Sequence, residues 1–218
     1  VGNFLLAKYI RANFDFKIIF NGDVSEEINS SYFYSRFAPS NWAFFQDNVK
    51  LISEVHRYDV LRSARCCEHW GLEPRTPFAD KTLVNFVMCI QPKYKRFGEG
   101  CLFPLEKMLL RIACQDLLPA EIIWRPKMAF SDGVSKKEKS WHLVIRDYVN
   151  QLISDEEFQQ EHGKFTDPPL KTKEAYWYRK LFNETLGNRP DMTGLIQEYW
   201  MPRFIAADDP SARVLGSH

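Results

Sequence analysis

A lone strand-like run in an otherwise helical sequence constrains this chain most. Lys17-Ile18-Ile19-Phe20 is short, apolar and β-branched, and Asn21-Gly22 stops it with a tight turn. Apolar residues elsewhere recur at helical spacing. Phe4, Leu5, Lys8 and Tyr9 predict a first helix ending near Asn13. Residues 25–37 read as a helix opened by Ser25 with Glu26 and Glu27 in its first turn, where negative charge suits the helix dipole. Phe45, Val49, Ile52 and Val55 begin a long amphipathic helix running to Trp70, before Gly71. Further helices fit residues 81–90, 105–118, 136–153 and 172–187. Loops are expected at 72–80, which holds two prolines, and at 91–104, 119–134, 163–170 and 188–194, with an irregular tail from Met201. A single strand leaves its backbone groups unpaired, so its sheet partners are expected outside the chain, before Val1. A start at Val rather than Met fits the same expectation, that this is a piece of a longer polypeptide.

Composition removes several classes. Lys plus Arg is 29 and Asp plus Glu is 28, a balance that argues against a nucleic-acid or membrane-surface partner. No apolar run approaches the roughly 20 residues that cross a bilayer. The five cysteines contain no C-x-x-C and the five histidines no metal spacing, so neither a disulfide framework nor a protein-only metal site is suggested. Reduced thiols in a cytoplasmic protein are the plain expectation.

Three constellations carry candidate chemistry. Asn21-Gly22-Asp23-Val24-Ser25-Glu26-Glu27 sits at a strand-to-helix junction, where α/β proteins bind nucleotides; Asp23 or Glu26 could hold Mg²⁺ or act as a base. Pattern alone favours a capped helix with solvated acids. Arg125-Pro126-Lys127 and Ser131-Asp132-Gly133 lie between two helices, and a lysine there could neutralise charge on a phosphoryl group; without context a solvated basic loop is the simpler reading. Asp59 and Arg62, three apart on a helix, can pair with each other, or Arg62 or Arg65 can grip a carboxylate. Glu73 and Arg75, and Glu106, Lys107 and Arg111, pose the same choice.

Taken in order, these blocks resemble the C-terminal synthetase domain of glutamine-hydrolysing asparagine synthetases. That family carries I-F-S-G-E-G-S-D-E where this chain has residues 19–27. Tyr34, Ala38-Pro39-Ser40 and Tyr58-Asp59-Val60-Leu61-Arg62 follow, and then Gly71-Leu72-Glu73-Pro74-Arg75-Thr76-Pro77-Phe78-Ala79-Asp80, close to G-L-E-x-R-x-P-F-L-D. Next come Glu106-Lys107-Met108-Leu109-Leu110-Arg111, Trp124-Arg125-Pro126-Lys127, Phe130-Ser131-Asp132-Gly133, Lys173-Glu174-Ala175-Tyr176 and Asp209-Pro210-Ser211-Ala212-Arg213.

The resemblance implies a mostly helical α/β chain, the C-terminal part of an adenine-nucleotide α-hydrolase-like (PP-loop ATPase) synthetase domain. Residues 1–40 would be the last part of the nucleotide-binding sheet layer, and 41–218 a helical subdomain with its tail. It implies ATP and Mg²⁺, L-aspartate as substrate, ammonia made from glutamine in a separate N-terminal glutaminase domain, and a possible homodimer. By the same resemblance Asn21 and Gly22 lie at the ATP site and Asp23 matches a glutamate linked to forming β-aspartyl-AMP. Glu26 matches an acid of the Mg²⁺-pyrophosphate region, Asp59 and Arg62 lie near substrate and nucleotide, and Lys127 contacts the phosphoryl group. The chain departs from the family at Asn21 for Ser, Asp23 for Glu, Val24 for Gly and Glu26 for Asp, and Val24 is expected to give up the positive φ that Gly permits. The family's S-G-G-L-D-S-S loop and its N-terminal Cys are absent from these 218 residues, so the chain alone is not expected to make asparagine. A β-lactam synthetase-like ligase and a non-catalytic module of the same fold are the alternatives.

Overall fold

In the computed structural model, residues 1–206 are described apart from 126, 129–132, 134–140, 167, 188 and 197–199. The chain is mostly helical with little sheet and divides into two units, Val1–Lys127 with Pro202–Ala206, and Met128–Met201. None of the helices described is long and apolar enough to cross a membrane.

The first unit opens with α1 (Gly2–Asn13) and β1 (Ile18–Phe20). Contrary to expectation, β1 has a partner inside the chain. Glu73–Arg75 forms β2, parallel to β1, with Ile19 opposite Pro74. The ladder is closed by Glu73 N–H donating to the Lys17 carbonyl (2.7 Å) and Asn21 N–H donating to the Arg75 carbonyl (3.0 Å). Glu73 and Arg75 thus face β1, so the Pro74 nitrogen points away and its missing N–H costs no ladder bond, as on an edge strand. A three-residue strand containing proline gives no periodic signal, which is why it reads as loop.

Between the strands run α2 (Ser25–Asn29), α3 (Asn41–Glu54) and α4 (Asp59–His69). The helix expected over 25–37 stops at Asn29, because Ser30 turns left-handed; Phe33–Phe37 is a separate 3₁₀ turn. The long helix expected through Trp70 is broken by a 3₁₀ turn at Val55–Arg57. Ser40 Oγ caps α3 by accepting from Ala43 N–H (3.1 Å). Gly71, at φ 67°, ends α4 in a Schellman pair: Leu72 N–H donates to the Cys67 carbonyl and Gly71 N–H to that of Glu68. This closure drops Leu72 into a core with Ala7 and Cys67, packed by Ile10, Ile19 and Trp70, and so delivers the chain to β2 beside β1. Beyond β2 lie α5 (Lys81–Cys89), α6 (Met108–Ala113), shorter than expected, and α7 (Ala120–Ile123). The outer flank stays open: Leu5, Tyr9, Phe14, Phe16 and Ile18 are exposed, and Phe20 is 77% exposed.

The second unit holds α8 (Trp141–Leu152), α9 (Asp155–Glu161), α10 (Lys173–Leu186) and α11 (Pro190–Thr193). Val149, Ile153, Leu170 and Tyr176 form its core, with Phe158, Phe165 and Trp177 against them. Thr172 caps α10 through Ala175 N–H (3.1 Å). The start of the helix expected at 136 and the block 209–213 lie outside the described residues.

Candidate functional site

The site forms where β1 ends. Asn21 Nδ2 donates to Asp23 Oδ2 and to Ser63 Oγ on α4, both at 3.0 Å, and Asn21 Oδ1 accepts from Asp23 N–H (3.4 Å). The turn is thereby tied to α4 as it leaves the sheet. A cleft of about 470 Å³ opens here, lined by Lys17, Asn21, Asp23, Ser63, Leu72 and Thr76 among others. A side chain at Gly22 would meet nothing within 4 Å, so the backbone there faces open space. Burial pushes the Asp23 carboxyl up; the Ser63 hydroxyl opposes the shift, and the Asp59 charge adds to it.

Val24 does not give up the left-handed conformation. It sits at φ 73° and is 3% exposed, a β-branched residue held where glycine is the easy choice. The direction of α2 that a glycine would permit is therefore retained. Such strain persists only where surrounding contacts over-determine the backbone.

Those contacts are visible on the next residues. Lys107 Nζ donates to Ser25 Oγ (2.5 Å) and Glu26 Oε1 (2.7 Å). Lys107 itself is left-handed, at φ 56°. Lys127 brings a second ammonium 4.0 Å from the same Glu26 oxygen and 5.0 Å from the centre of the Tyr32 ring. Burial lowers the Lys127 pKa; Glu26 opposes that shift and Lys107 reinforces it. Arg111 holds the two lysine-bearing segments together. Its guanidinium pairs with Glu106, donates to the Glu106 carbonyl (2.9 Å) and reaches the carbonyls of Ile123 and of Arg125 (3.0 Å).

Behind this layer Glu27 is 5% exposed and accepts from the Tyr32 hydroxyl at 2.5 Å; Tyr32 also lies 3.1 Å from Asp59 Oδ2. One phenol proton cannot serve two carboxylates at once. Burial pushes the Glu27 carboxyl up, and the hydrogen bond from Tyr32 opposes that shift. Asp59 Oδ1 pairs with Arg62 at 2.5 Å, so the ion pair read from their spacing forms, with Arg62 largely exposed.

The structure thus brings Asn21, Gly22, Asp23, Glu26, Lys127, Asp59 and Arg62 to one end of the sheet. Ser131 and Asp132 lie outside the described residues. Glu73 and Arg75 pair with each other. Sequence reasoning gave no role to Ser63 or Tyr32 and weighed Lys107 as a local ion-pair partner or a grip on a carboxylate; an E-K pair before an apolar run carries no sign that it meets residues 25 and 26. Among the described residues no group of three or more His, Cys, Asp or Glu side chains could hold a metal by itself.

The asparagine synthase family model matches residues 49–202. The glutamine-hydrolysing asparagine synthetases of Gallus gallus, Cricetulus griseus and Homo sapiens are 37%, 40% and 38% identical over 217 residues, 99% of this chain. Those alignments take in the acidic turn as well as the family match, but the chain spans only 37% of the length of each relative. With a family match over most of its length and this identity along nearly all of it, the chain belongs to the asparagine synthase family.

Proposed function

We propose that this chain is part of the synthetase half of an enzyme that amidates L-aspartate to L-asparagine with ATP, with the finer fold of a PP-loop ATPase. The observation that carries the reading is the convergence of Lys107 and Lys127, from separate segments, on the acid-bearing turn at the end of β1. Two ammonium groups on one side chain of a strand-to-helix turn suit a polyphosphate, as parallel sheets bind ligands beyond their strand ends.

In this reading the β-carboxylate of aspartate attacks the α-phosphorus of ATP and pyrophosphate leaves, giving β-aspartyl-AMP. Ammonia then attacks the acyl carbon, and AMP departs with the bonding electrons. Lys127 and Lys107 offset charge on the phosphoryl oxygens as it builds. Asn21 and Gly22 line the nucleotide side, Asp23 lies beside the reacting groups, and Arg62, paired with Asp59, borders the substrate. Asp23 and Glu26, two carboxylates on one turn, match the one or two acids that nucleotide-borne magnesium takes from a protein. Magnesium bound there would neutralise phosphate charge. Ammonia comes from glutamine in a separate domain, and the setting in this reading is a cytoplasmic, homodimeric enzyme. Residues 1–40 belong to the nucleotide-binding layer and 41–218 to the helical subdomain and tail.

The test is exchange of labelled pyrophosphate into ATP by the native polypeptide that carries this chain. Exchange should require L-aspartate, vanish in Asp23→Ala, and be kept or improved in Asp23→Glu. Exchange with another acid but not aspartate would favour a related ligase. No exchange with any acid would favour a non-catalytic module.

A further inference from the structure

Lys95 is a buried cation that the proposed chemistry does not use. It is 6% exposed, and its Nζ donates to Asn48 Oδ1 at 2.5 Å and to the Ile28 carbonyl at 3.3 Å. Among the described residues no carboxylate lies within ion-pair distance of it. The nearby helices do carry acids. Glu26 is engaged by Lys107, Glu27 by Tyr32, and Asp47 by Tyr34 at 2.8 Å with Arg203 at 3.9 Å. Lys95 is therefore a charge taken out of water with neutral acceptors only, a costly arrangement that needs a purpose.

The acceptors indicate what that purpose is. Asn48 is fully buried; its Nδ2 donates to the carbonyls of Glu27 (2.5 Å) and Ile28 (3.3 Å), while its Oδ1 is held by Lys95. Lys95 thus fixes which way the Asn48 amide faces, and the pair together grips the C-terminal carbonyls of α2, where a positive charge also suits the helix dipole. Helix α2 has five residues, too few to hold a conformation unaided, and it carries both Glu26 and Glu27.

Building on the synthetase reading, we infer that Lys95, acting through Asn48, is a positioning residue for the acidic turn: it clamps the far end of α2 so that Glu26 meets Lys107 and Lys127 in register.

The test uses Lys95→Met, which keeps the length and removes the charge, and Lys95→Arg, which keeps the charge, in the native polypeptide. Amide hydrogen exchange is read over residues 24–31, together with the melting temperature and the ATP–pyrophosphate exchange rate. Removing the charge relieves its desolvation but orphans the buried Asn48 Oδ1, so the two effects oppose each other and the melting temperature should change little. In the same variant, amides 24–31 should exchange at least about tenfold faster. Pyrophosphate exchange should fall by roughly 10–100-fold in rate with little change in the KM for ATP, as expected from misplacement near 1 Å. Lys95→Arg should restore most of the protection. Parent-like protection of residues 24–31 in Lys95→Met overturns the inference. So does a general loss of protection with a lowered melting temperature, which marks a residue needed for folding only. If the parent itself exchanges no pyrophosphate, the enzymatic reading fails while the hydrogen-exchange comparison still decides the role of Lys95.

Discussion

Val24 offers the sharpest test of the local structure. A left-handed L-residue costs about 1–2 kcal/mol relative to the right-handed form, and only glycine escapes that cost. Val24 is also 3% exposed, and its buried side chain contributes about 1.5–3 kcal/mol. Val24→Gly relieves the first quantity and loses the second, so a net loss near 1 kcal/mol is expected. Comparison with Val24→Ala isolates the backbone. At an ordinary φ a buried alanine leads glycine by about 1.5 kcal/mol, from about 0.4–1 of chain entropy and about 0.8 of buried methyl. At φ 73° the alanine also carries the left-handed cost, so its lead should vanish. The assay is urea unfolding of the native polypeptide followed by tryptophan fluorescence, comparing midpoints at unchanged slope. Midpoints agreeing to within about 0.5 kcal/mol support the reasoning. An alanine variant ahead by the full 1.5 kcal/mol or so refutes it, because Val24 would then be at an ordinary φ.

Three further outcomes are expected. Lys127→Ala should slow single-turnover formation of β-aspartyl-AMP by about 10²-fold, near 3 kcal/mol, with a smaller change in ATP affinity, and Lys127→Arg should rescue poorly; parent rates in both would remove Lys127 from the chemistry and leave it a structural partner of Glu26. Glu26→Gln removes a carboxylate that pairs with both Lys107 and Lys127, so the Lys127 pKa, already lowered by burial, should fall further; an Nζ titration by NMR that does not move refutes this. Burial lowers the Lys95 pKa to about 8, against 10.5 when unfolded, so between those values the unfolded chain binds more protons and stability should rise with pH; a rise of equal size in Lys95→Met would show that another group causes it.

The legible parts of this fold are those where local pattern and tertiary environment agree. Helices α3 and α10 follow from apolar spacing, and β1 follows from its β-branched run stopped by Asn21-Gly22. Strand β2 was hidden because Pro74 argues against a strand everywhere except at an edge. The break of the long helix at Val55–Arg57 was hidden because apolar spacing continues across it. Within the site, position alone marks the acidic turn and the Lys127 loop as candidates but favours solvated charges for both; the family's order of blocks is what points them to chemistry. Lys95 reads as an ordinary surface lysine, since exposure is the default for that side chain and only the folded chain reveals the Asn48 and Ile28 acceptors.

The turn's departures from the family pattern therefore need to be weighed against what holds it. Were its shape set by its own residues, valine in place of glycine at position 24 would have moved the backbone out of the left-handed region, and the acids beyond it would point elsewhere. Instead the turn is fixed from outside at both ends. Ser63 grips Asn21 before it, and the Lys95–Asn48 pair grips the carbonyls after it. Lys107 reaches Ser25 and Glu26 between them. With the backbone imposed in this way, the exchanges at 23 and 26 act mainly through side-chain length: Asp23 is one methylene shorter than the family's glutamate, and Glu26 one longer than its aspartate. The longer Glu26 is the acid that meets both lysines, whereas the shorter Asp23 stays beside Asn21 at the cleft wall. With the turn already held from outside, a glycine at 24 adds little, whereas a longer acid at 23 gains reach, so Asp23→Glu should raise activity while Val24→Gly leaves it near that of the parent.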